Sequence, residues 1–366
     1  ERYREQVLTE MPEVDAVLGV GGIHQIVTAV DEVLARAASK EKKAPKFVCF
    51  ADKEETALGG ERVVTTGDHM AYLKVAEGCN NRCAFCIIPY LRGKYRSRTM
   101  DDCLYEARML AEDGAKELIV VAQDTSRYGV DLYGKSMLPE LLRELCKIEK
   151  LHWVRVHYLY PDAITDELID VFAEEPKLVH YFDIPIQHVN DRILKRMHRR
   201  GTRAELDALF AKLRSRIPDA VMRTSLITGL PGEGEAEFEE LCDWLREHKL
   251  ERVGAFAFSP EEGTPAAEMD YPPEEVAVRR AEIINELQSR VMDEFNEKQR
   301  GKTLEVLCEG YDDETEQYFG RTYADSPDID GRVVFTSEAP VKVGTFVPVE
   351  ITGAADGDLT GKARKN

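Results

Sequence analysis

Six apolar runs of strand length, each followed by a stretch of helical periodicity, dominate the sequence between residues 71 and 298. Strands are predicted at 71–75, 117–122, 153–158, 181–186, 222–228 and 253–258, and helices at 100–112, 137–148, 164–174, 190–216, 235–248 and 273–298. Alternation of this kind demands parallel pairing through right-handed crossovers, hence an α/β sheet covered by helices. Six units are fewer than a closed eight-stranded barrel needs, so a partial barrel and a doubly wound open sheet are the two candidates. Either one gathers chemistry at the C-terminal ends of its strands.

The flanks read differently. Residues 14–20 (VDAVLGV) are predicted as a buried strand, and Gly21-Gly22 turns it into an amphipathic helix over 23–38. A charged linker, SKEKKAP, and a short apolar run at 47–50 follow. The chain opens on Glu1 in a charged helical stretch, as a fragment would, so residues 1–50 are assigned to the remnant of an N-terminal domain and its linker. Residues 65–300 form the α/β core. Beyond Gly301, short alternating runs at 304–307, 319–323, 333–335 and 346–351 predict a small all-β barrel over 301–366.

Lys plus Arg number 49 against 68 Asp plus Glu, a net charge of −19. The C-terminal barrel holds seven basic and thirteen acidic residues, 7 − 13 = −6. Such a surface repels phosphate backbones unless cations are locally concentrated, so a basic protein or a small molecule is the easier partner. With 43% hydrophobic residues, disorder is excluded for most of the chain. No run of about 18 apolar residues offers a transmembrane helix, and no signal peptide is visible.

Of eight cysteines, three crowd into EGCNNRCAFCIIP as Cys79, Cys83 and Cys86. That asymmetry points to one metal site in a reducing, cytoplasmic compartment. Three thiolates on a short loop cap three corners of a 4Fe-4S cube and leave the fourth iron open to a ligand. The rival is structural zinc, which wants a fourth Cys or His nearby. Cys49, Cys103 and His69 have no such pairing.

The CxxxCxxC spacing, with Phe85 before the third cysteine, resembles the radical S-adenosylmethionine (SAM) superfamily. AYLKVAEGCNNRCAFCIIPYLRG followed by RSR resembles its methylthiotransferase family, and the likeness spans nearly the whole chain. It implies a partial (β/α)6 barrel followed by an OB-like TRAM domain, with residues 1–50 the end of an N-terminal methylthiotransferase domain. By position it also implies that Cys79, Cys83 and Cys86 hold the 4Fe-4S cluster, and that Phe85 belongs to the cofactor site. Gln123 and Asp124 in VVAQDT would meet the methionyl amino group of SAM, Thr224 and Ser225 the ribose, and Gly229 with Gly232 the adenine. Arg199 would pair with the cofactor's carboxylate. PIQHVNDRILKRMHRRGTR has six Lys plus Arg from Arg192 to Arg203, and Cys79 to Arg98 has five, neither with a carboxylate. Together they predict a positive rim at the barrel mouth. His157, Tyr158 and Tyr160 are expected as pocket walls.

The variants AQDT, YLYP and PIQH are similar to the branch that modifies an aspartate of ribosomal small-subunit protein S twelve. They differ from the branches that modify transfer RNA adenosine, and the acidic C-terminal barrel argues the same way. The implied reaction begins with an electron passing from the cluster to SAM. A 5′-deoxyadenosyl radical then takes hydrogen from the aspartate β-carbon, and a sulfur bearing a methyl group joins that carbon. An electron donor is implied, and RNA binding by the TRAM domain is not expected. Family members carry a second, sulfur-handling cluster on three N-terminal cysteines, and the match starts just after the last of them. This chain is therefore expected to hold one cluster and to cleave SAM without inserting sulfur. The alternatives are a transfer RNA methylthiotransferase and a non-catalytic iron-sulfur or zinc protein that binds the ribosome.

Overall fold

The computed structural model describes residues 1–38, 46–56, 58–60, 62–65, 67 and 69–364; the predicted SKEKKAP linker lies outside them. The six strands are β1 (Met70–Lys74), β2 (Glu117–Val121), β3 (Trp153–Val156), β4 (Tyr181–Asp183), β5 (Val221–Thr228) and β6 (Arg252–Ala257). Each runs parallel to the next, the β3–β4 seam being made by a Val154–Leu178 bridge and by Leu159 N–H donating to the Asp183 carbonyl. Spatial order follows chain order without reversal, so the sheet is a partial barrel and not a doubly wound one. Among the described residues β6 does not pair with β1, which leaves the barrel open on one side.

Alternation assigns the strand faces. Leu73, Leu118, Val120, Val154, Val156, Phe182, Met222 and Leu226 point outward and are fully buried, in one core with Leu141, Phe172, Phe210 and Trp244 of the covering helices. Each such side chain contributes roughly 1.5–3 kcal/mol of burial. The helices are α1 (Met100–Glu112), α2 (Leu138–Cys146), α3 (Asp166–Glu174), α4 (Asp191–Arg196), α5 (Arg203–Arg216), α6 (Glu235–His248) and α7 (Glu274–Glu297). The single helix predicted over 190–216 is broken. His198 at φ 54° and Gly201 at φ 93° turn the chain, and Thr202 with Glu205 forms the capping box that starts α5.

The N-terminal residues 14–20 form no buried strand. Among the described residues Ala16–Leu18 is a half-exposed strand paired only with Phe47–Cys49, and a 3-10 turn precedes the helix Ile26–Ala38. A two-stranded ribbon has too little sheet around it to be covered on both faces.

Five strands close the C-terminal barrel: β7 (Thr303–Asp312), β8 (Gln317–Arg321), β9 (Val333–Thr336), β10 (Phe346–Ala355) and β11 (Asp358–Ala363). Its core is Val306, Cys308, Val333, Phe335, Val347, Val349, Ile351 and Leu359. The sequence predicts four of the five; β11 (DLTGKA) has too little apolar alternation to show.

The segment between β8 and β9 enters the N-terminal end of the α/β barrel. Glu117, fully buried, takes Arg155 Nε and Arg321 Nη2, each at 2.6 Å. Arg252 meets Asp325 at 2.6 Å, Tyr181 Oη donates to Asp330 at 2.5 Å, and Ser326 Oγ lies 2.9 Å from His157 Nε2. Burial, chiefly, depresses His157 to about 4, so the ring is neutral in the folded protein. Its folded pKa lies below the ordinary 6.5. Stability is therefore complete above pH 6.5 and is expected to fall by about 3 kcal/mol as pH drops from 6.5 to 4. Urea melts of wild type and His157→Asn across that window measure it; equal pH slopes in the two would contradict it.

Candidate functional site

The cysteine loop leaves β1 at Gly78, where φ is 75° and a Cβ would lie 2.1 Å from the Lys94 carbonyl, so only glycine fits. Cys79 N–H donates to the Gly93 carbonyl at 3.2 Å and Asn81 N–H to Cys79 Sγ at 3.5 Å. Ala84 fixes the far side. Its N–H reaches the Met197 carbonyl after α4 and its carbonyl accepts Ala266 N–H after β6. Ala84 is buried with Ile193, Leu230 and Phe258, and Phe85 rests partly buried against the same group. The loop is thus bolted across the barrel mouth from β1 to β6.

Cys83 is buried and Cys79 and Cys86 are half-buried. Burial pushes the Cys79 and Cys86 thiols up, so a bound cation is required to hold them as thiolates. Among the described residues no three His, Cys, Asp or Glu side chains are set around a single ion. Thiolate is the donor that iron-sulfur clusters use, so the chemistry of this donor set fits a 4Fe-4S cube. The Cys103 thiol, pushed up to about 11 by burial, lies in the core with Cys146, away from the loop.

Tyr160 Oη lies 3.5 Å from Cys83 Sγ, and Arg199 Nη1 donates to the same sulfur at 3.6 Å. The Arg199 guanidinium stacks 4.2 Å from the Tyr160 ring centroid and also holds the Pro185 carbonyl. Arg199 therefore stands beside the cluster loop. Neither contact is visible in the sequence, because Tyr160 and Arg199 lie 77 and 116 residues from Cys83.

The other predicted cofactor residues divide. Gln123 is exposed at the mouth. Asp124 is buried and committed: its carboxylate takes Asn81 Nδ2 at 2.8 Å, Ser126 Oγ and Arg127 Nε, and its carbonyl accepts Tyr95 Oη at 2.9 Å. Thr224 points outward, its hydroxyl donating to the Ile184 carbonyl at 2.7 Å, whereas Ser225 alternates inward. Gly229, at φ 74°, owes its missing Cβ to α7, since that atom would lie 2.3 Å from Ala277 Cβ.

The positive rim is paired in part. Arg192 meets Glu237, Arg200 meets Asp162, Arg203 meets Glu240, and Arg98 is buried against Asp102 and Glu106. Those acids sit on neighbouring elements, where a count along one segment does not find them.

A one-way parallel partial barrel with a three-cysteine loop bridging its mouth defines a class, that of radical SAM enzymes. The Radical SAM superfamily profile matches residues 73–245, and the TRAM domain profile residues 301–363. The ribosomal protein uS12 methylthiotransferase RimO of Caldanaerobacter subterraneus is 46% identical over 99% of this chain and 81% of its own length. Its counterpart in Acetivibrio thermocellus is 45% identical over 99% of this chain and 80% of its own. The chain belongs to the RimO family of radical SAM methylthiotransferases. Membership implies a 4Fe-4S cluster and SAM. Among the described residues no helix is long and apolar enough to cross a membrane.

Proposed function

We propose that this chain acts on ribosomal protein uS12, placing a methylthio group on the β-carbon of an aspartate, in the cytoplasm where ribosomes are. The cluster loop carries this reading, with Cys83 buried between Tyr160 and Arg199. Cys79, Cys83 and Cys86 hold one 4Fe-4S cluster, which when bound supplies the electron that cleaves SAM to methionine and a 5′-deoxyadenosyl radical. The chain's own residues do the placing. Arg199 and Tyr160 aim positive dipoles at Cys83 Sγ, which tunes the ligand. Gln123 and Ser225 face the mouth at the methionyl and ribose ends, Phe85 and the turn at Gly229 border the adenine, and Asp124 holds Asn81 and with it the loop.

The chain takes electrons from an external donor. The acidic C-terminal barrel, −6 from Gly301 onward, suits a basic protein better than RNA. Residues 1–50, 65–300 and 301–366 act as N-terminal segment, catalytic core and docking module.

The deciding experiment offers the reduced holoenzyme, supplemented with a sulfide source, uS12 and transfer RNA in parallel. Mass spectrometry is expected to find the added methylthio group on an aspartate of uS12. A modified nucleoside without modified aspartate would refute the assignment.

A further inference from the structure

A cavity of about 450 Å³ lies between the barrel mouth and the C-terminal module; Gln123 borders it at the methionyl end, and the roles assigned above leave the rest of its lining without an occupant. Two observations point to what it holds. The first is a charge surplus. Lys74, the last residue of β1, faces inward with its Nζ 2.8 Å from Glu77 Oε2, and the same carboxylate oxygen takes Arg92 Nη1 at 3.3 Å. Glu77 is only 3% exposed, whereas the Lys74 side chain is 46% exposed. One buried carboxylate thus serves two cations and leaves a positive charge free at this end of the cavity. Asp328, from the segment between β8 and β9, puts a negative charge elsewhere on the same wall.

The second observation is backbone strain. Tyr158 sits at φ 60°, a conformation costly for a bulky side chain. It is over-determined by its neighbours: Tyr158 N–H donates to Asp183 Oδ2 at 3.1 Å, its carbonyl accepts Thr125 N–H at 3.0 Å, and Arg223 locks Asp183 at 2.8 Å. The consequence is a phenol 48% exposed on the cavity wall.

Resting on the aspartate reading above, we propose that this cavity seats the target side chain, that Lys74 grips its carboxylate and that Tyr158 walls it in. A seat with a cation at one end and Asp328 at another favours an acidic residue flanked by basic ones, and it discriminates against a neutral nucleobase.

The test uses fluorescence anisotropy with the reconstituted full chain. The probes are a synthetic uS12 peptide spanning the modified aspartate and the same peptide with asparagine in its place. Wild type is expected to prefer the aspartate peptide by about tenfold, and Lys74→Met and Lys74→Gln to lose that preference while Lys74→Arg keeps most of it. Tyr158→Ala is expected to weaken both peptides alike. Because Lys74 is half-exposed, its variants should melt as wild type does. Full preference retained in Lys74→Met, or a defect confined to SAM binding, would overturn the assignment of Lys74. No preference in wild type would instead overturn the aspartate reading beneath it.

Discussion

Cys83→Ala is expected to remove the visible absorbance of the reconstituted protein and to lower reductive release of 5′-deoxyadenosine by about three orders of magnitude or more. Cys83 is the most buried of the triplet, and it alone receives both Tyr160 and Arg199. Its loss removes one of only three protein corners and leaves two polar groups aimed at a methyl. Iron is expected to fall from about four per chain toward none, a readout that does not depend on turnover. Cys103→Ala is the matched control, since Cys103 lies on the buried face of α1 and helps fill the core. It should cost stability by loss of packing and leave iron content unchanged. A Cys83→Ala protein that keeps wild-type iron would mean that the cluster rests elsewhere.

The second large effect is expected at Glu117, far from the chemistry. Glu117→Gln removes the shared counter-charge of Arg155 and Arg321 in a site where Glu117 and Arg155 are fully buried. Removing one partner of a buried ionic group typically costs about 3–5 kcal/mol, because the remaining charge is left uncompensated. Arg155 would keep the Tyr323 carbonyl and the Tyr181 ring but no anion in contact. Thermal unfolding should show the loss, and limited proteolysis should show the β7–β11 barrel released first. A variant that melts with wild type would show that the network is neutral in stability.

Acid probes the same network. Burial alone would raise Glu117, but Arg155 and Arg321 hold it down at about 2 against an ordinary 4.5. Its contribution is therefore present above pH 4.5 and is lost as pH falls toward 2, below the window in which His157 acts.

The sequence made the repeating architecture legible because each β/α unit is a local pattern, and all six strands and their helices stand close to where periodicity puts them. The cysteine loop was legible for the same reason, its three cysteines lying within eight residues. Finer local signals are present as well. Gly201 and the Thr202–Glu205 capping box mark the break between α4 and α5, and the alternation of RTSLIT turns Thr224 away from the mouth while Ser225 faces it. What was not legible is long-range. The partners of Cys83 and the acids that pair with part of the rim come from separate elements, and Glu117 meets a residue 204 positions away. No window of sequence contains both members of such pairs.

That 204-residue separation has a consequence for synthesis. The α/β barrel is translated well before Arg321, Asp325 and Asp330 emerge, at about 5–20 residues per second. Through that interval Glu117, Arg155 and Arg252 line a floorless lumen that water must solvate. A nascent or truncated chain therefore displays the three cysteines without a closed chamber around them. The floor of that lumen is completed only when the segment between β8 and β9 brings Arg321, Asp325 and Asp330 to Glu117, Arg252 and Tyr181.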